Sequence, residues 1–156
     1  MKNKQLSPKE RYDALLKARD EKQESAKYER DNRERLFEEE FAKLRKQVKA
    51  IRDKDFPKSP HSESAHDFSM ELENVRFYVG RNSNDLIICT WLGKIDHKVN
   101  DPLGDDDRIS FNIEGKSVSW GAEKKTSKEL ANYLVDKLVS QLEILFQKEG
   151  RKALPK

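Results

Sequence analysis

The apolar positions of the first third of the chain fall at helical spacing. From Pro8 to Asp53 there is no glycine and no further proline, and Glu, Lys, Arg, Ala, Leu and Gln dominate, all good helix formers. Ser7-Pro8-Lys9-Glu10 is a capping box with proline at the first helical position. Phe37, Phe41, Leu44, Val48 and Ile51 recur in steps of four and three, a heptad seam over about two heptads. Tyr12, Leu15 and Leu16 make a smaller apolar patch, and residues 17–35 offer only Ala18, Ala26 and Tyr28 between the two. The pattern predicts a charged helix over residues 1–53, about 70 Å long if unbroken. The seam admits three readings: docking on the chain's own second half, a self-associating coiled coil, or a groove on another protein.

Residues 54–68 read as a linker. Pro57 and Pro60 stop the helix, and serines and charges supply no core. The pattern then changes period. Val75, Phe77 and Val79 alternate with polar neighbours, Leu86 to Leu92 is a continuous apolar run, and Ile109, Phe111 and Ile113, then Val118 and Trp120, alternate again. Turn chemistry lies between them at residues 80–85 and at Glu114-Gly115-Lys116, and a polar loop covers residues 96–107. These segments predict two hairpins of one antiparallel sheet. A second capping box, Thr126-Ser127-Lys128-Glu129, opens a helix with Leu130, Leu134, Leu138, Leu142 and Leu145 on one face, stopped by Gly150. The expected fold is therefore α+β: a long charged helix, then a four-stranded antiparallel sheet covered by a C-terminal helix over residues 69–150, then a basic tail at 151–156. A domain of that size has a marginal core, which residues 36–52 would help to close.

Composition sharpens the division. Apolar residues make up 35% and charged residues 39% of the 156, so the chain cannot be packed evenly throughout. Residues 1–58 carry 18 basic and 13 acidic side chains, residues 69–150 carry 11 and 14, and Arg151, Lys152 and Lys156 are basic. The net charge of +3 lacks the one-sided excess of a bulk nucleic-acid binder. Cys89 is the single cysteine, so no intramolecular disulfide forms. That fits a reducing compartment such as the cytoplasm. No run approaches the roughly 18 apolar residues of a membrane span.

Candidate chemistry is sparse. His61, Glu63, His66 and Asp67 lie close together, but in the linker and at no compact metal-site spacing. Asp101, Asp105, Asp106 and Asp107 lack the ligand spacing of a calcium loop. His97 beside Asp96 is ordinary loop composition, and there is no nucleophile elbow or glycine-rich phosphate loop. The expectation is a protein without catalytic residues, metal site or cofactor. Lys124, Lys125 and Lys128 cluster where a helix begins, and a helix start favours phosphate. Hairpin strands followed by a helix opening in Lys-Lys-x-x-Lys resemble, over residues 108–145, the end of a double-stranded-RNA-binding domain. That resemblance implies phosphate contact by those three lysines. The small residues that follow the lysines in that family, and its Gly-Pro-x-His loop, are absent here. A further basic route runs through Lys2, Lys4, Arg11, Lys17 and Arg19, interleaved with acids.

The functional expectation is a small interaction or assembly protein, an adaptor or inhibitor. Phe37, Phe41, Leu44, Val48 and Ile51 would contact a protein partner or a second copy. The alternative is a nucleic-acid-binding module using Lys124, Lys125 and Lys128.

Overall fold

A computed structural model of the chain describes residues 5–95 and 105–148. The element order is α1 (Pro8–Asp55), β1 (His61–Glu63), β2 (Asp67–Leu72), β3 (Val75–Asn82), β4 (Ile87–Lys94), β5 (Asp105–Glu114), β6 (Ser117–Trp120) and α2 (Ser127–Lys148). The class is α+β as the pattern implies, but the sheet has six strands and not four. The two extra strands, β1 and β2, begin inside the segment read as a linker. Polar loop positions 96–104, with Asp96, His97 and Asp101, lie outside the described residues. So do Lys2, Lys4, Gly150 and the basic tail. The chain divides into two units, residues 1–36 and residues 37–156.

In the first unit the capping box forms as its residues dictate. The Glu10 amide donates to Ser7 Oγ at 3.2 Å and the Ser7 amide to Glu10 Oε1 at 3.3 Å. No described residue of this unit is buried.

The second unit holds the core. Its strands pair antiparallel in sequence order, a simple meander. One face of the sheet presents Phe68, Met70, Val75, Phe77, Val79, Ile88, Leu92, Phe111 and Trp120, all buried. The stripe of α1 lies in this core: Phe37, Phe41, Leu44 and Val48 are each at most 1% exposed. The Phe37 ring meets Phe111 at 5.4 Å and Trp120 at 5.6 Å, whereas the Phe41 ring meets Phe68 at 5.5 Å. Residues 37 and 41 are about 6 Å apart along a helix, but β2 and β6 stand four strand spacings apart, about 19 Å in a flat sheet. The sheet must therefore curl around the helix to bring both ends to one turn of it. α2 lies against β3, with β2 and β6 at its margins, and buries Leu130, Ala131, Leu134, Val135, Leu138 and Leu142.

The segment between α1 and β2 is held by arginines. Arg52 donates to the Ser59 carbonyl at 2.8 Å, Arg45 to the Ser64 carbonyl at 2.7 Å and Arg81 to the Ala65 carbonyl at 2.9 Å. Arg45 and Arg52 sit two helical turns apart on α1 and reach the same strip of backbone. Ser59 Oγ donates to the Glu71 carbonyl. These bonds satisfy carbonyls that a three-residue edge strand cannot pair by itself.

Truncating a stripe residue should remove core packing at the point where both ends of the sheet converge. Phe37→Ala is expected to lower the free energy of unfolding by about 3–5 kcal/mol, read from denaturant midpoints at constant slope. Tyr28→Ala in the exposed unit should stay within about 0.5 kcal/mol.

Candidate functional site

The five stripe residues proposed for partner contact are brought together, but inside the second unit. Four are buried and Ile51 is half-buried. Of the three readings of the seam, docking on the chain's own second half is the arrangement seen. A heptad step of four and three looks the same whether it faces a second helix or a curled sheet.

The lysine cluster also falls in one place, with two of its three charges already matched. Lys124 Nζ lies 2.8 Å from Glu114 Oε1, and Lys125 Nζ lies 2.5 Å from Glu123 Oε2. Hydrogen bonding to Glu123 holds the Lys125 ammonium above the usual lysine range, and the same bond holds the Glu123 carboxyl below its own. Lys125 also sits over the Tyr133 ring, 5.1 Å from its centroid. Two amides at the helix start, where an anion would bind, are taken: the Glu129 amide donates to Thr126 Oγ1 and the Thr126 amide to Glu129 Oε1, each at 3.1 Å. Lys128 is exposed.

Behind the cluster runs a buried relay that sequence reasoning did not find. Trp120 Nε1 donates to Ser127 Oγ at 3.0 Å, and Ser127 Oγ donates to Glu40 Oε1 at 3.1 Å. Ser127 is 7% exposed. One hydroxyl thereby links β6, α2 and α1. A serine one place after a capping threonine looks like helix-start composition, so nothing in one dimension marks it.

The polar groups of the former linker do not converge on a metal. His66 Nδ1 accepts from the Arg81 guanidinium at 3.0 Å. Asp67 accepts from Ser64 Oγ at 2.7 Å and from the Tyr78 hydroxyl at 2.9 Å, which hold its carboxyl below the usual range. His61 faces Glu63, Arg52, Lys49 and Asp53, and burial first, then the two cations, pushes its ring below the ordinary histidine value against the pull of the carboxylates. Among the described residues no three of His, Cys, Asp and Glu gather as ligands, and Asp107 Oδ1 accepts from the Arg108 amide. Cys89 is half-buried on the sheet face opposite the core, beside Gly80. Concavities occur at β5 and the start of α2 (about 290 Å³), at residues 56–60 with 71–73 (about 500 Å³) and at residues 89–90 with 106–108 (about 460 Å³). None of these lining sets pairs a nucleophile with a histidine base.

The first unit supplies the other candidate surface. Leu6, Tyr12, Leu15 and Tyr28 are 53%, 61%, 70% and 74% exposed. No described helix is long and apolar enough to cross a membrane. No protein-family model, curated protein or solved structure matches the chain.

Two measurements follow from these contacts. Ser127→Ala strands Trp120 Nε1 in the core, at an expected cost of about 1–3 kcal/mol, detectable by denaturant unfolding. For His61 the unfolded chain takes up a proton near the ordinary value of about 6.5 while the folded chain resists it. The His61 contribution to stability is therefore complete above that value and is lost as pH falls below it. The unfolding midpoint should drop as pH falls below about 6.5, and His61→Gln should flatten that drop.

Proposed function

We propose that the chain is a non-enzymatic assembly protein, an adaptor or inhibitor, that binds a protein partner through the helical residues before Phe37. One observation carries this reading: Tyr12, Leu15 and Tyr28 stand in solvent on a helix segment with no buried residue of its own. Isolated helices gain little from propensity and exposed ion pairs, and their stability comes mainly from burying an apolar face. Tyr12 and Leu15, one turn apart with Leu16 beside them, form a compact patch of the kind that anchors a helix in a groove. The second unit serves as the folded body. The single cysteine supports a reducing compartment such as the cytoplasm.

Nucleic-acid binding through Lys124, Lys125 and Lys128 is the weaker reading, because Glu114 and Glu123 offset two of the three charges locally. A phosphate backbone would have to displace those carboxylates before gaining the lysines.

Immobilised full-length chain should retain a stoichiometric protein that a Tyr12→Asp, Leu15→Asp double variant of equal helicity does not. Equal retention by both, or retention of nucleic acid alone with loss on reversing the three lysines, overturns the reading.

A further inference from the structure

β5 is longer than its partner. β6 pairs only with residues 111–114, from Phe111↔Trp120 to Glu114↔Ser117, so among the described residues the outer edge of β5 ahead of Phe111 has no strand beside it. The Phe111 amide donates to the Leu86 carbonyl, toward β4, and the Ser110 carbonyl accepts from the Gly121 amide, away from β4. By alternation, Arg108 and Asp106 also turn their backbone groups outward. The Arg108 amide is occupied by the carboxylate of Asp107, at 2.8 Å. Asp106, Asp107 and Arg108 are exposed.

The chain after β6 leaves this edge by a turn. Gly121 has φ of 75° and Lys124, which is not glycine, has φ of 53°. Trp120 and Lys125 then bond to each other, Lys125 amide to Trp120 carbonyl at 2.9 Å and Trp120 amide to Lys125 carbonyl at 2.8 Å. Continuing the β6 register past Trp120 gives a different arrangement. Ala122 would oppose Ile109, Glu123 would oppose Arg108, Lys124 would oppose Asp107 and Lys125 would oppose Asp106. The first pair is apolar and each of the other three joins opposite charges. Direct cross-strand pairs of this kind stabilise a ladder.

We propose that this chain forms a dimer by exchanging α2, with residues 122–125 of each copy straightened onto the outer edge of its own β5. Straightened, the chain from Trp120 to Lys125 spans about 17 Å, which carries Ser127 away from Trp120 and leaves α2 unable to sit on its own sheet. The α2 of the second copy fills the vacated place, and the relay from Trp120 through Ser127 to Glu40 re-forms between copies. The exchange is reciprocal and closes as a two-fold dimer. Each core remains filled. The bonds and pairs along β5 replace the two Trp120–Lys125 backbone bonds and the ion pairs of Lys124 and Lys125, and the net gains are a third charged pair and release of the left-handed conformation at Lys124, which a β-carbon disfavours. Separating the copies requires unseating α2, so the dimer, once formed, exchanges slowly.

The test is refolding of the full chain from denaturant at low and high protein concentration, in the Tyr12→Asp, Leu15→Asp background so that association through the N-terminal helix does not contribute. Light scattering on a sizing column is expected to show dimer increasing with refolding concentration, and mixed populations carrying different tags should not exchange within hours. Lys124→Gly, which relaxes the turn, should lower the dimer constant about fivefold per copy. Asp107→Lys should reduce the dimer, and adding Lys124→Asp should restore it, because the pair is reversed and not lost. Monomer at every concentration overturns the proposal, as does a dimer insensitive to Lys124→Gly and not rescued by the reversed pair.

Discussion

The fold depends on one helical turn meeting both ends of a sheet. Phe37 touches Phe111 and Trp120 near the last strand, and Phe41 touches Phe68 near the first. An open meander of six strands would present a broad apolar face that the 22 residues of α2 cannot cover alone. Curling narrows that face, and α1 fills what remains. The bonds from Arg45 to Ser64 and from Arg52 to Ser59 then follow, because they hold the segment around β1 against the helix that the curl surrounds, and Arg81 ties Ala65 to β3. The second half of α1 is thus part of the core, although in sequence it continues a helix whose first half buries nothing.

Much of this was legible before the structure. Both capping boxes, the glycine-free run from Pro8, the four strands β3 to β6 and the leucine face of α2 all follow from local composition and period. β2 was missed although Phe68, Met70 and Leu72 alternate, because two prolines and a cluster of serines just upstream suggested a linker. β1 was not readable at all. His-Ser-Glu has no strand character, and it forms a strand because Arg45, Arg52 and β2 satisfy the backbone around it. At the candidate site the same split holds. Sequence located the stripe and the lysines. It could not assign their neighbours, since Phe111, Trp120, Glu114 and Glu123 reach them only through the curl and the turns.

The charged residues show how little a local count of lysines reveals. Lys124 and Lys125 begin as a basic cluster and end as members of two ion pairs. Such exposed pairs contribute little to stability, yet they cancel the field that an approaching phosphate would feel. The same residues, read against β5 and not against solvent, match a row of opposite charges. Their meaning depends on the strand register, which is a property of the fold.

The Glu40 and Ser127 contact joins residues 87 positions apart. A chain synthesised from its N-terminus makes the stripe of α1 first and the leucines of α2 last, with the whole sheet emerging between them. Until α2 is complete, the concave apolar face lacks one of its two covers. A chain with that face uncovered is the form most exposed to association with its neighbours.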